Sequence, residues 1–334
     1  VSPTSDTQAP SHISRPARIA FAAAAFAIGF ARAWSQPAAT DAGFQLLRAG
    51  GPLFRGSLQA YAVPPGGEGA PLLGAIVAQL ATLAPGGIEQ ILRVPGAVSL
   101  GLCTVLLWIA VARRAGVFAA IFAIVLLLLV PSFTSWFAAR PDQSLAGVLF
   151  LAALCAALEP PSFAKQQTWA TLSSLASPLA MPALVAFPFF ATSKELRSVR
   201  TWIVPAAALA IVGLLSIALP AGMRSEITRG LLSGWGMPGA GFRSTARALA
   251  SSPISAIILA IPFLAAARRT AIPGVPLSIH LPFVVCVLAT ILFAKPDAFP
   301  GFLPAVAPAA CLLVALLAAA IPDRVAVPGA LRRP

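Results

Sequence analysis

The sequence predicts an all-α polytopic membrane protein, a bundle of roughly 9–11 membrane helices, and three observations carry that expectation. Of the 334 residues, 58% are hydrophobic and only 10% are charged, and the mean hydropathy is +0.88, outside the balance of a soluble domain of this length. Apolar runs long enough to cross a hydrocarbon core of ~30 Å recur along the chain, and backbone groups at that depth must be hydrogen-bonded within their own segment, as in a helix. The polar/apolar alternation of a membrane strand is absent, which argues against a barrel.

The first run, 19–30, follows Arg15 and Arg18 and ends at Ala31-Arg32-Ala33. That pattern also fits a signal peptide; we read it as a retained first transmembrane helix closed by the interfacial Trp34. A Pro/Gly-rich stretch follows, 35–89, with a short apolar helix at 71–84 that is too brief and too Gly-flanked to span and so lies flat on the membrane. The next spans fall at 91–112, 115–137 and 143–158, separated by Arg113-Arg114 and by Arg140-Pro141-Asp142. Segment 168–192 is interrupted by Pro178, Pro182 and Pro188, giving either one kinked span or a hairpin that enters and leaves on one side. The remaining spans are expected at 201–220, 251–267, 273–294 and 299–321.

Basic residues orient the bundle. With 168–192 as a hairpin, inner loops and tails hold thirteen of the 23 Lys and Arg residues; a single span leaves ten, so the positive-inside rule favours the hairpin. The organisation that follows is a cytoplasmic tail (1–16), a single transmembrane domain (17–321) and a second cytoplasmic tail (322–334). Within it, 35–90 is a long first extracytoplasmic loop carrying surface helices, and 168–192 is the Pro-broken hairpin. Arg140–Asp142, the loop 221–250 and Lys295-Pro296-Asp297 then share the outer face with that first loop.

The excess of 23 basic over 10 acidic residues would suggest nucleic acid in a soluble protein; scattered in short loops, it sets topology and meets anionic headgroups instead. Cys103, Cys155, Cys286 and Cys311 fall singly in apolar segments without CxxC spacing or a neighbouring histidine, so they read as small core residues and not as a metal site. His12 and His280 have no partner in the pattern. No Walker A, HExxH, GxSxG or EF-hand signature is present. Gly234-Trp235-Gly236-Met237-Pro238-Gly239 spells GxGxxG, but no strand precedes it and Pro238 interrupts it, which excludes a dinucleotide fold.

The outward acids are Asp41, Glu68, Glu89, Asp142, Glu226 and Asp297. A loop carboxylate is ordinarily a solvated charge. Asp41 differs because it follows a helix end and precedes the apolar turn Gly43–Leu47, which holds it near the bilayer surface. Arg140-Pro141-Asp142 reads either as an ion pair closing two helix ends or as a planar guanidinium fork for a phosphate, and the residues leave both open.

The order of these features over residues 17–192 resembles the GT-C class of membrane glycosyltransferases, in particular the polyprenyl-phosphate-sugar users such as protein mannosyltransferases and aminoarabinose transferases. The resemblance rests on Thr40-Asp41-Ala42-Gly43 opening the first outward loop and Ala70-Pro71-Leu72-Leu73 opening the surface helix. It continues with Leu92-Arg93-Val94-Pro95 at the second span, the basic turn Ala112–Gly116, Arg140-Pro141-Asp142, and the Pro-interrupted pair at 173–190. It implies a GT-C-like bundle in a bacterial cytoplasmic membrane, with its amino terminus inside and its active face outside. The implied activity moves a sugar from a polyprenyl-phosphate donor to an acceptor hydroxyl by an inverting single displacement. Asp41 would be the base, Arg140, Arg55 and Lys295 would hold the donor phosphate, and Asp142 and Glu68 would support them. The partners implied are the lipid-linked sugar and membrane lipid; no cofactor and no nucleic acid are expected, and a divalent metal stays open. Ala42 and Gly43 stand where relatives carry a second acid, and Gly69-Ala70 where they carry a histidine. A non-catalytic scaffold subunit of a larger membrane complex is therefore the alternative, with a lipid or solute transporter behind it.

Overall fold

A computed structural model describes residues 14–36, 80, 88–158, 162–218, 234–239, 242–267, 277–295 and 298–320. The described residues are helical throughout, apart from short turns and one isolated antiparallel bridge between Trp235 and Ala294. The expected surface helix at 71–84 lies outside them except for Leu80.

Helix α1 (Arg15–Trp34) packs along α2 (Ile88–Leu129). Its closest approach uses glycines on both sides: a Cβ on Gly29 would meet Thr104 Oγ1 at 2.8 Å, and one on Gly101 would meet the Phe26 ring at 2.8 Å. Thr104 Oγ1 donates to the Ala25 carbonyl at 2.7 Å. Small residues let two backbones come close enough for such bonds where lipid provides no hydrophobic drive between helices.

Helix α2 is 42 residues long, about 63 Å if straight and twice what a bilayer core needs. It is not straight. Gly116 adopts φ 87°, ψ 173°, a region essentially restricted to glycine, and the chain reverses there. Arg93 Nη1 donates to the Trp34 carbonyl while Arg32 Nε donates to the Leu128 carbonyl, so the beginning and end of α2 meet the same end of α1. The basic pair Arg113-Arg114 sits at the reversal.

The expected span 115–137 is divided at Val130, because Pro131 drives the preceding residue into an extended conformation. Val130 has φ −83°, ψ 107°, and Pro131 starts α3 (Pro131–Ala139). Pro141 repeats the device: Arg140 leaves the helical region at φ −130°, ψ 74°, and Pro141 opens α4 (Pro141–Ala156) at the first helical position, where its missing N–H costs nothing.

Helix α5 (Phe163–Ala176) runs antiparallel to α4, tied by Ser173 Oγ donating to the Ala146 carbonyl at 2.9 Å. The chain then turns through 3₁₀ Pro178–Ala180, α6 (Met181–Ala186) and 3₁₀ Phe187–Phe190, which pack back on α5. A Thr192–Glu195 capping box starts α7 (Ser193–Arg197). Helix α8 (Val199–Ala218) packs on α5, and Leu209, Leu214 and Ile217 on its open side face outward.

Helices α9 (Phe242–Ser251) and α10 (Pro253–Ala267) meet at a 117° bend beside Ser252. Ser252 and Ser255 both bond to Ser132 Oγ, fastening that corner to the start of α3. Helix α11 (Leu277–Phe293) leads to α12 (Ala298–Ala320). Seventeen of the nineteen residues from Phe302 to Ala320 are buried, against three of the twenty in α1, so α12 is the central post, packed on α2, α3, α4, α10 and α11. Pro308 cannot donate to the Pro304 carbonyl, and Gly147 of α4 lies directly against that oxygen.

Among the described residues three helices are long and apolar enough to cross a membrane, Arg15–Trp34, Arg93–Leu129 and Phe302–Ala320, or four if the α9–α10 pair is one broken span. The second is two antiparallel segments by the contacts above. Shorter apolar helices, Pro141–Ala156, Pro178–Phe189, Val199–Leu214 and Ile279–Phe293, accompany them. This is an integral membrane protein of several apolar helices. Cys103, Cys286 and Cys311 are buried free thiols, and Cys155 is half-buried.

Candidate functional site

Arg140, wedged between two helices by Pro141, makes that corner chemically distinctive. Its N–H donates to the Trp136 carbonyl at 2.8 Å, and its own carbonyl accepts from the Ser144 N–H at 3.0 Å and the Ser144 hydroxyl at 2.9 Å. One non-helical residue thus closes α3 and opens α4. Two residues on, Asp142 lies in the first turn of α4, where the unpaired N–H groups of a helix favour an anion.

The Asp142 carboxylate is shut away from solvent, with both oxygens engaged. Arg140 Nε donates to Oδ1 at 3.2 Å and Nη2 to Oδ2 at 3.1 Å, a bidentate fork, and Gln143 Nε2 adds a third bond to Oδ2 at 3.1 Å. The Asp142 side chain is 2% exposed and that of Arg140 20%. Such a pair fixes the guanidinium plane. Three of the roughly four acceptor sites of Asp142 are thus occupied by cationic and amide donors, which fits it to orient the guanidinium.

Gln143 Oε1 and Ser177 Oγ are buried without a hydrogen-bond partner. Ser177 closes α5, which runs antiparallel to α4, and Gln143 lies in the first turn of α4, so both polar atoms belong to the Arg140 end of the bundle.

Segment 234–239 joins the same end. The Trp235 indole N–H donates to the Pro178 carbonyl at 3.2 Å, next to Ser177. The Gly234 carbonyl accepts from the Lys295 N–H at 2.7 Å, and the Gly236 and Gly239 N–H groups donate to Phe293 and Leu292 at 2.6 Å each. Gly234 and Gly239 have φ +87° and +83°, so two letters of the apparent GxGxxG are turn glycines that dock the loop on α11. Lys295 is half-buried with its stem against Gly236, and among the described residues its ammonium has no carboxylate partner.

Of the residues singled out from sequence, Arg140 and Asp142 are in direct contact, and Lys295 is tied to their end of the bundle through Gly234, Trp235 and Pro178. Asp41, Arg55 and Glu68 lie outside the described residues. Gln143 and Ser177 went unremarked in the sequence, and Trp235 stood there only as a letter of the apparent GxGxxG. Gln143 carried a signal, being a polar residue in the first turn of an apolar helix next to Arg-Pro-Asp; Ser177 is identifiable only through the α4–α5 register.

No family model matches the sequence, and no curated protein matches it. Solved structures do. ArnT from Cupriavidus metallidurans bound to undecaprenyl phosphate superposes with a TM-score of 0.65 at 17% identity, over 92% of this chain and 60% of that one. The fold is GT-C. ArnT in the apo state matches over the same shares, with a TM-score of 0.54 at 18% identity. This chain therefore spans about 60% of the length of the ArnT chain it matches. At such identity the likeness establishes the GT-C fold alone.

Proposed function

We propose that the protein is a membrane glycosyltransferase that moves a sugar from a polyprenyl-phosphate donor to an acceptor hydroxyl. The observation that carries this is the GT-C fold, shared over 92% of the chain with an ArnT structure bound to undecaprenyl phosphate. The reaction is an inverting single displacement at the extracytoplasmic face of a bacterial cytoplasmic membrane, with the amino terminus inside.

In the step itself, the acceptor oxygen bonds to the anomeric carbon as the bond from that carbon to the phosphate oxygen breaks. Asp41 takes the hydroxyl proton, and the electron pair leaves on polyprenyl phosphate. A phosphate leaves without an acid catalyst if cations meet the charge that develops on it. Arg140 and Lys295 supply those cations, with Arg55 and Glu68 as further members of the site. Asp142 acts through Arg140: a guanidinium already fixed by a buried fork needs no reorganisation when charge builds on the phosphate. Asp142 is thus a positioning residue.

The test is sugar transfer by the purified protein in liposomes with a labelled polyprenyl-phosphate sugar and candidate acceptors. Transfer by the parent protein that falls at least a hundredfold in Asp41→Asn is the expected result. Wild-type rates in that variant would remove Asp41 as base. Because Ala42 and Gly43 replace an acid that relatives carry, absence of donor turnover in the parent across acceptors would favour the scaffold subunit.

A further inference from the structure

A groove of about 310 Å³ runs between α1 and the second half of α2, lined by Ile28, Arg32, Val125, Leu128 and Leu129. We propose that it binds an anionic phospholipid, with the phosphate on Arg32 and the upper part of one acyl chain along the four apolar side chains. The site is separate from the proposed reaction and does not rest on it.

The break at Val130 creates the site. Because the helix stops there and restarts at Pro131, the Leu128 carbonyl loses its place in the α2 ladder. Arg32 Nε donates to it at 3.3 Å. That bond holds the guanidinium at the mouth of the groove and uses one of its five N–H groups. The other four have no acceptor among the described residues, and no carboxylate lines the groove.

Position supplies the rest. Arg32 is two residues from the end of α1, and Leu128 is next to the end of α2. These apolar helices end together, at the depth where headgroup phosphates lie and where a long basic side chain meets them. Below the guanidinium, Ile28 is 56% and Leu129 72% exposed, a surface covered by acyl chains in a bilayer. Ile28 to Arg32 and Val125 to Leu129 each make one helical turn, ~6 Å, which accommodates only the first few methylenes beneath a headgroup. The length suits a bilayer lipid whose tails continue outside. The whole of α3, ~14 Å of helix, separates Leu129 from Arg140.

Native mass spectrometry of the purified full chain titrated with dioleoyl phosphatidylglycerol tests this. The wild type is expected to retain one tightly held lipid. Arg32→Gln keeps an N–H for the Leu128 carbonyl but removes the charge, and retention should fall about tenfold, the fold-change of one charge-assisted hydrogen bond. Leu129→Trp, at an outward-facing position that does not disturb the core, should fill the groove and lower retention comparably. Equal retention by the wild type and both variants would overturn the proposal. So would displacement of the phosphatidylglycerol by equimolar decaprenyl phosphate, which would make the groove an entrance for the glycosyl donor.

Discussion

Removing the Asp142 carboxylate probes the Arg140 corner most directly. In Asp142→Ala, three hydrogen bonds of 3.1–3.2 Å are lost together, two from the guanidinium and one from Gln143. Breaking a fully buried ion pair costs about 3–5 kcal/mol because it strands a charge. Arg140 is 20% exposed and can turn partly toward water, so the expected cost is lower, ~2–3 kcal/mol, near that of one or two charge-assisted bonds. Asp142→Asn should cost only ~1 kcal/mol. Its carbonyl still accepts from Arg140, and its new amide donor finds Gln143 Oε1, which has no partner in the wild type, once the Gln143 amide flips. The buried thiols Cys103, Cys286 and Cys311 report unfolding through a thiol-reactive fluorescent dye during a thermal ramp. The midpoint should drop by about 5–10 °C for alanine and by a few degrees for asparagine. If alanine lies within ~0.5 kcal/mol of wild type, the pair contributes no stability; if asparagine is as costly as alanine, the compensation through Gln143 is wrong. Adding Arg140→Ala to Asp142→Ala should recover part of the loss, since no charge is then stranded.

Three further substitutions test the scaffold and the phosphate site. Gly116→Ala should destabilise by about 1–3 kcal/mol from backbone strain alone, since nothing lies near a Cβ there; the same thermal ramp reads it. Gly147→Ala forces a methyl onto the Pro304 carbonyl, and as both groups are backbone, the α4–α12 contact must open, at about 1–3 kcal/mol. Lys295→Ala should reduce sugar transfer about tenfold with little change in melting midpoint, because its bond to Gly234 runs through its backbone N–H and only the contact of its stem with Gly236 is lost. A drop in midpoint with no change in transfer would make Lys295 a structural residue.

Hydropathy revealed the membrane helices because a span must be apolar along its whole length, and the reversal near 113–116 was legible because basic residues stay out of the bilayer. The Arg-Pro-Asp corner was also readable: Pro141 dictates the conformation of the residue before it and the helix start after it, both local effects. The division of the span 115–137 was missed although Pro131 announces it by the same rule. A continuous apolar run hid the break, since hydropathy takes no account of backbone geometry. Ser177 and Trp235 were illegible for another reason. Their roles depend on which helices become neighbours, and a helix that is apolar on nearly every side carries no stripe to say what it packs against. The turn glycines Gly234 and Gly239 were visible in the sequence, but their destination, the end of α11, was not.

The two cations at the proposed site differ in a way that decides what each contributes. Arg140 shares its charge with a carboxylate about 3 Å away, so the pair is close to neutral as seen from a phosphate, and what remains is direction: N–H bonds held in a fixed plane. Lys295 has no such partner among the described residues, and its ammonium is a compact point charge on a flexible stem. Attraction of a dianionic leaving group should therefore come mainly from Lys295 and its alignment from Arg140. Salt separates the two effects, because it screens long-range attraction by a partly exposed charge more than it weakens a formed, buried hydrogen bond. Raising ionic strength should weaken donor binding in the wild type and in the double variant Arg140→Ala/Asp142→Ala, which strands no charge, to a similar degree, and much less in Lys295→Ala. Equal salt sensitivity in all three would mean that the charge drawing the phosphate lies elsewhere, and Arg55 would be the next residue to replace.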